Sequence, residues 1–453
     1  MLSGKFILLI TAIAVAYLGS KLMCKPPSLP DLNENEYWGP GTPPSKLDTS
    51  IKPFKIDIPD SAIQDLKHRL ETDRPYTPPL ENAQQQYGFN TNLLKEITQY
   101  WKNEYNWRER EKFLNQFPQY KTNIQGLDIH YIHVKPQVST NVKVLPLLML
   151  HGWPGSVREF YGIIPHLTKE SKGHDFVFEV ITPSLPGYGF SQGASKTGMG
   201  NHNVAMIMKN LMKRIGFEKF YVQGGDWGAI IATDMATFFP KNILGLHSNM
   251  CMATSLKSYL KLFLGSIYPP LVVEKKYEHK MYPLSKHFRM IMEESGYFHL
   301  QATKPDSLGV SIGQSPSGRA AYILEKFSTA TNFTYKFRED GGLKGKYTYD
   351  DLLDNLMLYW LPNSFTTAIR LYSEGFSALE LSTVKHHVPC ACARFGQELG
   401  YATDWILKDR YQHLVYTSDY DVGGHFIAME EPELLAKDIL AAISRMEELK
   451  HPD

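Results

Sequence analysis

Apolar and polar positions change rhythm several times along the chain, and each change predicts a different element. Phe6 to Leu18 is apolar apart from Thr11 and is flanked by Lys5 and Lys21. From Cys24 to about Pro59, prolines, asparagines and charges prevail, which predicts an extended arm with no core of its own. Ile63, Leu66 and Leu70 then share one helical face behind Asp60, a candidate cap. A second helical stretch runs near Leu93 to Trp107, followed by strand-like runs at Phe117 to Thr122 and Leu127 to Val134. Val142 to Leu150 is almost unbroken apolar sequence, as a parallel strand buried on both faces should be. Phe176 to Thr182 and Phe220 to Gln223 repeat that pattern, the latter running into Gly-Gly-Asp-Trp-Gly and a helix that stops before Pro240. Strands alternating with helices predict a doubly wound α/β sheet.

Between Cys251 and Phe376 the strand rhythm gives way to helical, aromatic-rich segments such as Leu352 to Trp360. It returns at Val388 to Phe395 and His413 to Thr417, before a last amphipathic helix beginning near Pro432. The expected division is an anchor over residues 1–21, an arm with helices over 22–115, and a first core part over 116–250. A helical cap over 251–376 and a second core part over 377–453 complete it.

Composition narrows the class. The chain has 453 residues, 43% of them apolar, so a sizeable core is available. A net charge of +1 points to no nucleic acid or polyanion. Aromatics at 12% suit the lining of a large apolar pocket or a plain core. Of the four cysteines, Cys390 and Cys392 share one face of a strand, and no disulfide framework or zinc pattern is legible, which predicts a reducing compartment. The N-terminal apolar run is shorter than the ~20 residues of a comfortable membrane helix. It reads as an uncleaved anchor or as a signal peptide cut near Ala14-Val15-Ala16. The thiols, together with Lys21 and Lys25 outweighing Lys5, favour an anchor with the body in the cytoplasm.

Three segments carry candidate chemistry. In Gly224-Gly-Asp226-Trp-Gly228, small residues stand two positions either side of an acid, between a strand and a helix. That is the pattern of a nucleophile elbow with Asp in place of Ser. A plain glycine turn with an Asp cap reads the same way. A carboxylate nucleophile displaces at carbon and forms an alkyl ester, which suits an epoxide or an alkyl halide. His151-Gly-Trp153-Pro-Gly155 lies at another strand end, where a backbone N–H serves an oxyanion. His425 follows the last strand, in the place a general base takes in this chain order. The orienting acid belongs after the penultimate strand; Glu398 is the first candidate, with Asp404 and Asp409 as rivals. His130, His133, His386 and His387 read as surface or core residues, and no metal is implied. Gly341 to Lys346 is one residue too short for a phosphate loop, with Tyr347 where Ser or Thr belongs.

His-Gly-Trp-Pro-Gly-Ser, Pro-Gly-Tyr-Gly-Phe-Ser, Gly-Gly-Asp-Trp-Gly, Ser-Gly-Tyr297-Phe-His, Ala-Tyr-Ile-Leu-Glu-Lys-Phe and Gly-Gly-His-Phe-Ile-Ala-Met-Glu-Glu-Pro together resemble the microsomal epoxide hydrolase family. The details are similar to its juvenile hormone epoxide hydrolase branch, and the match covers nearly the whole chain. The resemblance implies an α/β-hydrolase fold with a mostly helical cap, and an N-terminal helix on the endoplasmic reticulum with the catalytic body in the cytosol. It implies Glu398 as the acid, and Tyr297 and Tyr372 as donors to the epoxide oxygen. Where the family's acid is followed by Leu-Leu, this chain has Leu399-Gly400.

The implied cycle starts with attack by Asp226 on a lipophilic epoxide. His425 then activates a water that cleaves the ester, with the N–H groups of Trp153 and Trp227 on the oxyanion. No cofactor is needed. A haloalkane dehalogenase is the nearest rival, but such enzymes carry Asn where this chain has Trp153. A non-catalytic lipophile-binding domain is the other.

Overall fold

Nine strands form one sheet: β1 (Ile51–Phe54), β2 (Gln119–Ile124), β3 (Leu127–Val134), β4 (Lys143–Leu150), β5 (Phe176–Pro183), β6 (Phe220–Gly224), β7 (Ile243–Ser248), β8 (Cys390–Arg394) and β9 (Leu414–Asp419). The computed structural model describes residues 27–139, 142–376 and 379–450. The spatial order is β1-β2-β3-β5-β4-β6-β7-β8-β9. Pairing is antiparallel from β1 to β5 and parallel from β5 to β9. The reason lies in the connections. β2 and β3 are joined by a tight turn with left-handed Gln125 and Gly126, whereas the later strands are joined through helices. This is the α/β-hydrolase fold.

The apolar runs behave as central strands must. Leu147 to Leu150 and Phe220 to Val222 are fully buried, and the sheet is sandwiched between helices that include Asn201–Ile215, Asp226–Phe238 and Pro432–Glu448. Two strands escape the apolar pattern. β1 lies within the polar arm and is mostly exposed, because an edge strand needs only backbone partners on β2. β7 reads Ile-Leu-Gly-Leu-His-Ser. Gly245 interrupts the run because a Cβ there would stand 2.3 Å from Met446 Sδ.

Other local expectations shift for identifiable reasons. Asp60 is the first helical residue rather than the cap; Pro59 holds the cap position and Asp60 pairs with Arg108. The stretch from Leu93 to Trp107 is two helices, Thr91–Asn103 and Trp107–Leu114. The second is started by the Asn106 side chain, which accepts from Arg108 N.

Between β7 and β8 the chain leaves the sheet and returns as a series of helices from Leu256–Ile267 to Phe365–Phe376. One buried cluster ties this insertion to the rest. Asp354, fully buried on helix Tyr349–Trp360, receives Arg110 at 2.5 Å, Arg158 at 3.0 Å and the Tyr105 hydroxyl at 3.0 Å. Two guanidiniums and a hydroxyl compensate a carboxylate that water cannot reach.

The cysteine reading requires correction. Cys251 and Cys392 form a disulfide, 141 residues apart in sequence. Cys251 follows the end of β7 and Cys392 lies opposite Ser248 on the neighbouring β8, so only sheet order reveals the pair. Cys390 is a buried free thiol. The thiol count therefore gives no argument for a reducing compartment. The expected membrane anchor, residues 1–21, lies outside the described residues. Among the described residues no helix is long and apolar enough to cross a membrane.

Candidate active site

β6 ends at Gly224 and a helix begins at Asp226, with Gly225 between them. The turn is so sharp that Asp226 adopts φ +48, a left-handed conformation costing roughly 1–3 kcal/mol for a residue other than glycine. The small neighbours are sterically required. A Cβ on Gly224 would lie 2.3 Å from Gly228 O, and one on Gly228 would lie 2.0 Å from Leu150 O. The outcome is a carboxylate raised above the ends of β4 and β6, at a helix N-terminus that favours negative charge.

Both oxygens of Asp226 have partners. Trp153 N–H donates to Oδ1 at 2.7 Å, and His425 Nε2 stands 3.3 Å from Oδ2. Gly152 must be glycine for this approach, because a Cβ there would sit 2.1 Å from Asp226 Oδ1. The insertion braces the loop. Asn355 Nδ2 donates to Pro154 O at 2.8 Å, Tyr359 OH to Gly155 O at 2.7 Å, and Ser156 Oγ to Asn355 Oδ1 at 2.7 Å. Trp227 is the second residue of the helix, where backbone N–H groups lack intrahelical partners, and its ring meets Tyr372 edge-on at 4.9 Å.

His425 Nδ1 lies 2.8 Å from Glu398 Oε1, and both side chains are almost fully enclosed. Asp404 instead bonds Arg394 at 2.7 Å, Asp409 bonds Lys261 at 2.9 Å and Asp419 bonds Arg394 at 2.7 Å. Of the candidate acids, the fold brings Glu398 to the histidine. The histidine turn is held by a carboxyl that sequence reasoning passed over. Glu430 accepts from Gly424 N at 2.7 Å and Phe426 N at 2.9 Å, and burial pushes it up to about 7.

Burial alone would push the His425 imidazolium pKa down. The charge of Glu398 and hydrogen bonds to Asp226 and Glu398 overcome that and hold it well above the ordinary value. The resting site is therefore an imidazolium between two carboxylates.

Tyr297 on helix Gly296–Thr303 and Tyr372 on helix Phe365–Phe376 meet over this site. Their rings are 6.1 Å apart, and Tyr297 stacks on Trp153 at 5.0 Å. Burial, reinforced by the charge of Asp226, raises both phenols above their usual range, so both remain protonated donors. A largely apolar pocket of about 120 Å³ opens beside Trp153, Tyr297 and His425, lined also by Met290, Ile291 and Phe333. On the other side of the Asp226–His425 pair is a smaller cavity lined by Glu159, Gln223 and Asn249. Sequence reading missed those three. Gln223 carried a signal, a polar residue ending an otherwise apolar buried strand; Glu159, in a short turn, carried none.

His130 and His133 lie away from this site: His130 is buried against Ser184 and Gln119, and His133 against Glu179. His386 is buried and His387 exposed.

Residues 51–160 match the family described as "Epoxide hydrolase N terminus", and residues 146–263 match "alpha/beta hydrolase fold". The chain is similar to juvenile hormone epoxide hydrolase 1 of Ctenocephalides felis, at 53% identity over 97% of this chain and 94% of that protein. It is 47% identical to epoxide hydrolase 1 of Oryctolagus cuniculus, over 91% of this chain and 93% of that one. The crystal structure of juvenile hormone epoxide hydrolase from the silkworm Bombyx mori superposes with a TM-score of 0.91 at 49% identity, covering 93% of this chain and all of that one. With that likeness along nearly its whole length, the chain belongs to the microsomal epoxide hydrolase family, which takes in the juvenile hormone enzymes, and is an epoxide hydrolase.

Proposed function

We propose that this epoxide hydrolase opens the epoxide of juvenile hormone or a related terpenoid to a vicinal diol, through an alkyl ester on Asp226. The observation that carries the mechanism is the pair of partners on Asp226: a backbone donor on one oxygen and His425 beside the other. In the first half, an Asp226 oxygen forms a bond to an epoxide carbon and the carbon–oxygen bond breaks. Tyr297 and Tyr372 stabilise the alkoxide, which is protonated. Loss of the carboxylate charge removes one of the two anions holding the His425 proton, so that proton leaves and the imidazole becomes a base.

In the second half, water adds to the ester carbonyl and gives its proton to His425. The N–H groups of Trp153 and Trp227 receive the oxyanion. Collapse expels the diol oxygen, which takes a proton from His425, and the Asp226–His425 ion pair re-forms. Glu398 keeps the imidazole oriented throughout.

The terpenoid assignment rests on the likeness to juvenile hormone enzymes and on the apolar pocket. Comparing turnover of juvenile hormone, a fatty epoxide and a xenobiotic epoxide tests it. Diol formed fastest from juvenile hormone is the expected result, and a preference for either other substrate overturns it. The same reading includes residues 1–21 as a helix in the endoplasmic reticulum membrane with the catalytic body on the cytosolic side. Digestion of the body by protease added to intact microsomes supports that orientation, and protection overturns it.

A further inference from the structure

The cavity behind Asp226 has the composition of a water site. It is lined by Gly152, Glu159, Gln223, Asn249, Ala428 and Leu435, and shares Trp153, His425 and Phe426 with the larger apolar pocket. The catalytic pair thus separates an apolar space from a small polar one. The polar cavity offers about 10 Å³ for a water's centre, roughly one molecule. Glu159 folds back over its own loop. A Cβ on Gly155 would lie 1.5 Å from Glu159 Oε1, so glycine there leaves the carboxyl its place. Gln223 Nε2 is committed to Asn249 Oδ1 at 2.9 Å, while Gln223 Oε1 is buried with no partner within the protein. A water bonded to Gln223, Glu159 and His425 would have the two to four polar partners an internal water requires.

We propose that this cavity seats the hydrolytic water, and that Glu159, together with Gln223, holds it against the carbonyl carbon of the Asp226 ester. The inference rests on the ester mechanism above. The water's oxygen forms the new bond to that carbon and one of its protons passes to His425 Nε2. The other proton stays on the added oxygen, held by Glu159 or Gln223. Burial pushes the Glu159 carboxyl up to about 8 against the opposing influence of His425, so near neutral pH it is mainly a neutral acid. It can then both donate and accept, without placing a further negative charge beside the reacting centre.

Single-turnover kinetics on the full-length chain, following the Asp226 adduct by rapid quench and mass spectrometry with a terpenoid epoxide, tests this. Glu159→Ala should leave ester formation within about threefold of the parent and slow ester decay at least about thirtyfold. Glu159→Gln, which keeps a donor and an acceptor, should restore decay to within about fivefold. Ala428→Val fills the same cavity from an apolar side and should also slow decay selectively, so the proposal is tested even if Glu159→Ala does not fold. Decay unchanged in Glu159→Ala or Ala428→Val overturns the proposal. So does an equal slowing of both steps, the mark of a merely structural role. The parent and His425→Gln serve as controls: if neither forms an adduct, the ester mechanism fails rather than the water site.

Discussion

His425 Nε2 stands 3.3 Å from Asp226 Oδ2, and the imidazole is held protonated in the resting site despite full burial. A base that rests as an acid must be released, and removing the Asp226 charge is what releases it. Asp226→Asn mimics that loss without covalent chemistry. Its His425 should titrate at lower pH than in the parent, read by NMR of labelled histidine; identical titrations would falsify the coupling. The raised value belongs to the folded state. Its stabilisation is therefore complete below the ordinary histidine pKa of about 6.5 and is lost as pH rises through the folded value. Alkaline titration should accordingly lower the Tm of the parent more than that of Asp226→Asn.

Replacing the base should separate the two half-reactions. His425→Gln keeps the nucleophile and the tyrosine donors but has nothing to take a proton from water. An adduct on the peptide containing Asp226 should accumulate and survive digestion. If substrate binds and no adduct is found, the division of labour is wrong.

Glu398→Gln should slow ester decay by roughly 10²-fold or more, because the imidazolium formed in that step loses its charged partner, while ester formation changes much less. Asp404→Asn should leave both steps near normal. Asp404 is bonded to Arg394 and its side chain is nearly half exposed, so its ion pair is worth under about 1 kcal/mol. The reverse pattern would assign the acid to Asp404.

Tyr297→Phe and Tyr372→Phe each remove one donor to the alkoxide and should slow ester formation about tenfold or more. With both removed, no donor remains. The double variant should lose at least roughly 10³-fold, about 4 kcal/mol of barrier. Ester decay should be spared in all three. A double variant no slower than the singles would mean that only one phenol reaches the epoxide.

Gly228→Ala tests the elbow itself. The added methyl would stand 2.0 Å from Leu150 O, which is backbone and cannot rotate away. A loss of at least about 2–3 kcal/mol is expected, seen as a lower Tm or as insoluble protein. Unchanged stability would mean that strand and helix are not packed as closely as described.

The linear sequence already contained whatever depends on neighbours along the chain. Gly224, Asp226 and Gly228 marked the turn, because a tight strand-to-helix junction restricts consecutive residues. Unbroken apolar runs marked β4, β5 and β6, because central strands are buried on both faces. Tertiary structure decided what depends on partners distant in sequence. Glu398 and Asp404 both follow β8, and only packing sends one to His425 and the other to Arg394. Tyr297 and Tyr372 are two of 26 tyrosines, singled out from sequence by resemblance alone, and their meeting over Asp226 requires two helices of the insertion to pack together. The Cys251–Cys392 bond depends on β7 and β8 being adjacent, although 141 residues separate the cysteines. Glu159, Gln223 and Asn249 come from three separate segments and carry no shared spacing. Local backbone geometry leaves a periodic trace in sequence. A cavity is formed by surfaces that meet only after folding, so its lining leaves none.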